Sequence, residues 1–356
     1  MGRHRIAAIP GDGIGKEVIA AGEEVLNALA QRAGELELSF TSFPWGSDHY
    51  MAHGRMMPEG ATEDLKGFDA IYFGSAGDPR VPDHISLWQL RLAICQGFDQ
   101  YANIRPTRVL PGLKSPLAGV AAKDIDWLIV RENSEGEYSG AGGRAHQKLP
   151  LDVGLDVSII TREGARRILK FALDEARSRP RKKLTFVTKS NAQRHAMVLW
   201  DEVFEEVKAG YPDVKTDRML VDAMAARFVT DPASIDTVVA TNLHTDILSD
   251  LAAALAGGLG IAPTGNLNPE RAYPSMFEPI HGSAFDIMGR GIANPLGAFW
   301  SAVLMLEHLG ERDAAARLMR AIETVTREGR ALTRDLGGQA TTAEVTRAVI
   351  EALDAR

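Results

Sequence analysis

The sequence predicts an α/β protein with a largely parallel sheet, divided into about two domains. Three observations carry that prediction. Short apolar, β-branched runs alternate with longer stretches of helical spacing, the pattern of strands joined through crossover helices. The first of these runs ends in a glycine turn that leads straight into a helix. The chain has 356 residues, too many for one ordinary core, and shows no internal repeat or low-complexity tail.

The elements follow in order. Arg5 to Pro10 reads as a short buried strand, ended by Pro10-Gly-Asp-Gly-Ile-Gly15, and Lys16 to Arg32 has helical apolar spacing. Glycines so spaced let a backbone approach a ligand closely, but G-x-G-x-G is not the G-x-G-x-x-G dinucleotide fingerprint. Ala70 to Phe73 is a second strand, and Leu87 to Phe98 a helix. Ala118 to Ala122 and Trp127 to Arg131 read as further strands, the latter leaving as the polar loop Arg131-Glu-Asn-Ser-Glu-Gly-Glu-Tyr138. The glycine-rich stretch Ser139 to Leu155 is an arm or a hairpin. Thr161 to Ser178 is an amphipathic helix with a Thr N-cap and Glu163 in its first turn. Leu184 to Thr188 is a strand leading through Lys189 to a helix that ends near Ala209. Thr237 to Ala240 is another strand, followed by a helix from Thr241. A loop, Pro263 to Pro274, and a Pro- and Gly-punctuated stretch, Phe277 to Pro295, precede helices at Ala298 to Leu309, Arg312 to Glu328 and Thr341 to Ala355.

Composition excludes several classes of function. Hydrophobic residues make up 45% and charged residues 24%, as in ordinary enzymes. A formal net charge of −7 argues against a nucleic-acid partner, since neutralising phosphates needs a basic surface. Cys95, the one cysteine, rules out an internal disulfide framework and a Cys-rich zinc site. No basic-then-apolar leader opens the chain, and its apolar runs are broken before membrane-spanning length. The expectation is a cytoplasmic protein with no membrane role.

Chemistry concentrates at Thr241-Asn-Leu-His-Thr-Asp-Ile-Leu-Ser-Asp250. Asp246 and Asp250 are four residues apart, so on a helix they lie one turn apart on one face. Bare, they repel; a hard cation such as magnesium or manganese relieves the repulsion. An isolated D-x-x-x-D is more simply two solvated acids. Here an apolar strand precedes the pair, and another lone acid, Asp222, sits in the apolar stretch Arg218 to Met224. Arg105 and Arg131 each stand at or just beyond the end of an apolar run, where a guanidinium can grip a carboxylate bidentately or merely pair with a surface acid. Lys189 directly follows a strand, where burial near other cations could make a lysine a base, and Tyr138, seven residues after Arg131, could donate a proton, although most lysines and tyrosines do neither. His281-Gly282-Ser283-Ala284, with Asp286 and Asn294, offers donors and small residues suited to a nucleotide base and ribose.

Together these motifs resemble the β-decarboxylating dehydrogenases, the family of isopropylmalate, isocitrate, homoisocitrate, tartrate and D-malate dehydrogenases. The likeness covers nearly the whole chain. Its most specific motif is N-L-H-T-D-I-L-S-D followed by G-x-L-G; the second is E-P-I-H-G-S-A-x-D-I with G-I-A-N-P. R-E-N-S-E-G-E-Y-S and G-N-L-N-P-E-R are most similar to the tartrate and D-malate branch. The resemblance implies a non-Rossmann, isopropylmalate dehydrogenase-like fold. Residues 1–100 and 257–356 would form a discontinuous cofactor-binding domain, and 101–256 a central dimerisation and metal domain. It further implies a homodimer with shared active sites: Asp246 and Asp250 bind Mg2+ or Mn2+ from one chain, while Asp222 and Lys189 come from its partner. Arg105 and Arg131 hold the carboxylates of a D-malate-like acid, Lys189 takes the hydroxyl proton and Tyr138 protonates the enolate. His281, Gly282, Ser283, Ala284, Asp286, Ile287 and Asn294 fall where the family binds its dinucleotide. A carboxylate at Asp286 accepts from a ribose 2′-hydroxyl and repels a 2′-phosphate, which favours NAD over NADP.

Two departures fall in the pocket. The family carries an arginine ten residues before the arginine of its N-[IL]-R-P motif; here that residue is Cys95. Arg91, one helical turn earlier, stands where the family reads the substrate's variable substituent, and either replaces the missing charge or reads an added polar group. Alternatively it lays its stem over apolar neighbours with its head in water. His244-Thr245 replaces the usual apolar-Gly dipeptide, and His244 either orients a carboxylate or substrate or is a loop substitution without consequence. Isopropylmalate suits a charged Arg91 poorly, so that dehydrogenase is the second enzyme reading, beside one acting on a more polar malate derivative. A catalytically silent binding subunit is the non-enzyme alternative.

Overall fold

The computed structural model describes residues 2–354. In chain order its elements are β1 Gly2–Gly11, α1 Gly15–Ala33, β2 Leu36–Ser42, α2 Ser47–His53, α3 Ala61–Leu65, β3 Ala70–Ser75, α4 Asp83–Ser86, α5 Leu92–Gly97, β4 Ala102–Arg108, β5 Asp126–Glu132, β6 Gly142–Ala145 and β7 Val153–Asp156. They continue as α6 Arg162–Ser178, β8 Lys183–Thr188, α7 Ala196–Lys208, β9 Lys215–Leu220, α8 Val221–Thr230, β10 Thr237–Ala240, α9 Asn242–Ala256, β11 Pro263–Leu267, β12 Ser275–Pro279, α10 Leu296–Leu309, α11 Arg312–Glu328 and α12 Thr342–Ala352. The α/β class is as the sequence predicts. Ala355, the last residue of the expected final helix, lies outside the described residues.

The chain forms two compact units. The first comprises Met1–Gln100, Arg108–Ala122 and Ala253–Arg356. Its strands run in the order β2-β1-β3-β12-β11, parallel except for the antiparallel pair β11 and β12. Ile6, Ala7, Ala8 and Ile9 are fully buried, which explains why β1 reads as a continuous apolar run rather than an alternating one. Beyond it Gly13, at φ +53°, closes on the 280s loop so tightly that a Cβ would lie 2.0 Å from the Ser283 carbonyl oxygen. Asp12 anchors that turn, its buried carboxylate accepting from the Ser47 N–H, the Ser47 hydroxyl and the Gly77 N–H. Residues 108–122, which the sequence reading ran into the central body, return to the first unit: Arg108 pairs with Glu323 at 2.7 Å and its guanidinium lies over Trp300.

The second unit, Tyr101–Thr107 and Lys123–Ala252, orders its strands β4-β5-β10-β8-β9, with β10 parallel to both β5 and β8, and β8 parallel to β9. Phe186 and Phe204 stack at 4.0 Å in its core. Thr161 caps α6 as predicted, accepting from the Gly164 N–H, and the stretch after Ser139 is an antiparallel hairpin of β6 and β7.

Three expectations are corrected. Ala118 to Ala122 is not a strand; it is exposed and turns at Gly119, whose φ is +76°. Pro263 to Pro274 is not all loop, nor Phe277 to Pro295 all irregular, because β11 and β12 pair with each other and bury every residue. Leu87 to Phe98 is not one regular helix. Leu87–Arg91 widens into a π turn, in which the Leu92 N–H donates to the Leu87 carbonyl, before α5 begins.

Candidate active site

In the second unit two buried arginines meet two acids. Arg105 leaves β4 and Arg131 leaves β5, 5% and 2% exposed. β10 ends at Ala240 and α9 begins at Asn242, so the first turns of α9 stand at the carboxyl end of a parallel strand, where open α/β sheets bind ligands. Asp246 and Asp250 project from successive turns of α9 with half-exposed side chains. Arg131 donates Nη1 to Asp246 Oδ1, while its Nε and Nη2 both donate to Asn242 Oδ1, at 2.9 and 2.6 Å. Arg105 donates Nε to Asn103 at 3.0 Å and Nη1 to the Ser249 hydroxyl at 2.5 Å. Its charge lies 3.6 Å from Asp246 and 3.9 Å from Asp250. The Tyr138 hydroxyl donates to Asp246 Oδ2 at 3.1 Å, and the Arg131 guanidinium lies over the Tyr138 ring.

Two guanidiniums thus balance two carboxylates. A dianionic acid arriving with a divalent cation leaves that balance unchanged, the arginines turning to the substrate and the aspartates to the metal. Asp250 shows why a cation fits: burial raises its pKa, Arg105 lowers it, and the neighbouring Asp246 charge raises it again. Asp246 and Asp250 offer two hard oxygen ligands. Among the described residues no group of three His, Cys, Asp or Glu side chains assembles to hold a metal. Asp222 instead bonds Lys189, Oδ1 to Nζ at 2.5 Å, and that ammonium holds the Asp222 carboxyl below its ordinary range. The charged neighbour of Lys189 is therefore a carboxylate, where the sequence suggested other cations.

His244 is half-buried. Its Nδ1 lies 3.1 Å from the Thr241 hydroxyl; burial depresses its pKa, with Glu137 opposing and Lys189 assisting. Thr245 is fully buried, and its hydroxyl has no partner.

The first unit holds the remaining candidates. His281, Ala284, Ile287 and Asn294 line a cavity of about 330 Å3 together with Ile14 and Asp335. Ser283 is buried, its carbonyl accepting from the Ile14 N–H at 2.9 Å. Gly282 carries the chain between them and is exposed, as is Asp286. Asp335 and its neighbour Arg334 were not foreseen. The only signal was Thr333-Arg-Asp-Leu-Gly-Gly338, a polar run ending in two glycines between helices. Arg91 is turned away from water: Nε donates to Glu278 Oε1 at 2.7 Å and Nη2 to Asn266 at 3.3 Å, with Asn266 also donating to Glu278 at 2.7 Å. Cys95 packs in the apolar cluster of Ile94, Phe98 and Met276.

Comparison with known proteins agrees with this geometry. The family model described as isocitrate/isopropylmalate dehydrogenase matches residues 5–352. A relative from Agrobacterium vitis named probable tartrate dehydrogenase/decarboxylase is 63% identical over 353 residues, covering 99% of this chain and 98% of its own. The D-malate dehydrogenase [decarboxylating] of Escherichia coli (strain K12) is 50% identical over 352 residues, covering 97% of each chain. Among solved structures, an isocitrate dehydrogenase from Methylococcus capsulatus superposes with a TM-score of 0.88 at 33% identity, covering 98% of this chain and 99% of that one.

Proposed function

Because the chain belongs to the isocitrate/isopropylmalate dehydrogenase family, and within it resembles the tartrate and D-malate decarboxylating enzymes, we propose that it oxidatively decarboxylates a D-malate-like 2-hydroxy acid, of D-malate or tartrate type. NAD and Mg2+ or Mn2+ serve it in the cytoplasm. The observation that carries this reading is the convergence of Arg105, Arg131 and Tyr138 on Asp246, one turn from Asp250. When bound, NAD supplies the hydride acceptor and the divalent cation a Lewis acid.

The chain's own groups do the rest. Arg105 and Arg131 hold the two carboxylates and fix which face of C2 is presented. Arg131 suits this task because Asn242 already fixes two of its three nitrogens. Lys189 accepts the hydroxyl proton as the C2 hydride leaves. Loss of carbon dioxide from C3 then leaves an enolate, and the Tyr138 hydroxyl returns a proton to that carbon. Arg91, held by Glu278, is assigned as the residue that reads the substrate's variable substituent. His281 to Ala284, Asp286, Ile287 and Asn294 bind the dinucleotide.

Lys189 and Asp222 are supplied by a second copy, giving a homodimer with shared sites and a third carboxylate for the metal. The β6–β7 hairpin supports this. Leu151, Val153 and Leu155, 77%, 52% and 59% exposed, alternate along it to form an apolar strip that a lone chain leaves in water.

The test is NADH formation by the purified protein with manganese on D-malate, both tartrates and isopropylmalate, with sedimentation to read the dimer. Turnover of D-malate or a tartrate that a chelator abolishes is expected. Faster turnover of isopropylmalate would reverse the substrate assignment, and silence across the panel with NAD still bound would favour a binding subunit.

A further inference from the structure

Resting on the decarboxylation reading above, we propose that Glu132 is a positioning residue for the proton-return step: its buried carboxylate clamps the loop after β5 into the path that brings the Tyr138 hydroxyl to Asp246.

β5 ends at Glu132, and beyond the turn at Gly136, whose φ is +71°, the Tyr138 hydroxyl donates to Asp246 Oδ2 at 3.1 Å. Between these points the chain is gathered around the Glu132 side chain, which is 3% exposed. Its Oε1 accepts from the Ser134 N–H at 2.9 Å and from the Ser134 hydroxyl at 2.6 Å, and its Oε2 accepts from the Glu135 N–H at 2.8 Å. Burial pushes the Glu132 pKa up, and the bonds from Ser134 and Glu135 oppose it. A countercharge stands one hydroxyl away: Arg167 Nη2 donates at 2.9 Å to the same Ser134 oxygen whose hydrogen goes to Glu132. Glu135 in turn accepts from the Thr161 N–H at 2.8 Å, so the clamp runs from the end of β5 to the cap of α6.

Two consecutive backbone donors converge on one carboxylate, one on each oxygen. An amide in its place, whichever way it turns, sets its own hydrogens against one of them. Arg131 does not depend on this clamp for its aim, because Asn242 and Asp246 hold its guanidinium directly. Tyr138 stands at the far end of the clamped loop, so a change in the loop's path displaces its hydroxyl. Misplacing a proton donor slows the step it serves more than it weakens substrate binding.

Steady-state kinetics of the intact protein, on whichever of D-malate and the tartrates it oxidises, test this as a double-variant cycle. Tyr138→Phe should lower kcat about a hundredfold. Glu132→Gln should lower kcat about tenfold with KM within about twofold, and should cost less than about twofold more when added to Tyr138→Phe, because the hydroxyl it places is already gone. Losses that multiply, or a folded Glu132→Gln with wild-type kcat, overturn the inference. If Glu132→Gln fails to fold, Ser134→Ala carries the same cycle, since it removes the hydroxyl between Glu132 and Arg167 and keeps both backbone donors. Its loss should be about threefold, vanish in the Tyr138→Phe background and be restored by Ser134→Thr. Wild-type kcat in Ser134→Ala, or a loss that persists without the Tyr138 hydroxyl, then overturns the clamp. Tyr138→Phe with wild-type kcat overturns the role of Tyr138, and a wild-type protein that oxidises none of these acids overturns the decarboxylation reading; the inference falls with either.

Discussion

The two units hold ligand-binding groups in opposite ways. In the second unit Arg105, Arg131, Asp246 and Asp250 form a cluster of full charges, the acids half in water and each able to exchange an arginine for a cation. In the first unit the ion pair of Arg91 with Glu278 is buried and closed by Asn266, and the cavity beside His281 is walled largely by Ile14, Ala284, Ile287 and Ile292. Exchange suits a substrate that arrives charged and leaves changed. A closed pair suits a site whose charges stay in place.

The largest effect expected from this contrast is at Arg131. Arg131→Ala should lower kcat/KM by about a thousandfold, roughly 4 kcal/mol, because a bidentate contact to the substrate is lost beside two unscreened acids. NAD affinity, read separately by calorimetry, should stay within about twofold. A parallel loss of NAD affinity would erase the division between the units.

A smaller effect is expected at the closed pair, and it falls on stability. Arg91→Met leaves Glu278 buried without its cation and should cost about 3 kcal/mol in urea unfolding, whereas Arg91→Met with Glu278→Gln should recover most of it. Were the double variant as unstable as the single one, the pair would be no more closed than the cluster in the second unit.

The smallest is a pH effect that the first unit should show and the charged cluster should not. Burial, helped by the Arg271 charge, pushes the His308 pKa down to about 4, so the unfolded chain binds its proton more readily than the folded one. His308 thus leaves stability intact above its ordinary pKa of about 6.5 and removes it as pH falls toward 4. Between pH 7 and 5 the loss should be about 2 kcal/mol, and His308→Gln should flatten that slope. An unchanged slope in the variant would place the acid sensitivity elsewhere.

The clustered charges of the second unit were legible in the sequence because local spacing determines them. Asp246 and Asp250 share a helical face by arithmetic, and Arg105 and Arg131 mark the ends of apolar runs. Partners distant in sequence were not legible. Arg91 meets Glu278 only because β12 lies beside β11 in the same sheet, and nothing local to either residue announces the other. β11 and β12 hid for a different reason: Pro263, Gly265, Asn266 and Pro279 have poor strand propensity, and burial within the sheet overrides it. Asp335 hid because its partner, Asn294, stands 41 residues away in the sequence, a pairing that composition does not encode.

The parallel pairing of β3 with β12 joins Ala70 to Ser275, about two hundred residues apart. On a ribosome adding about 5 to 20 residues per second, β3 emerges roughly 10 to 40 s before the strand that covers its edge. The intervening second unit has nearly all its residues by then and can fold first. Newborn chains thus carry an open, apolar strand edge on the first unit during synthesis, the surface that a nascent-chain chaperone would be drawn to.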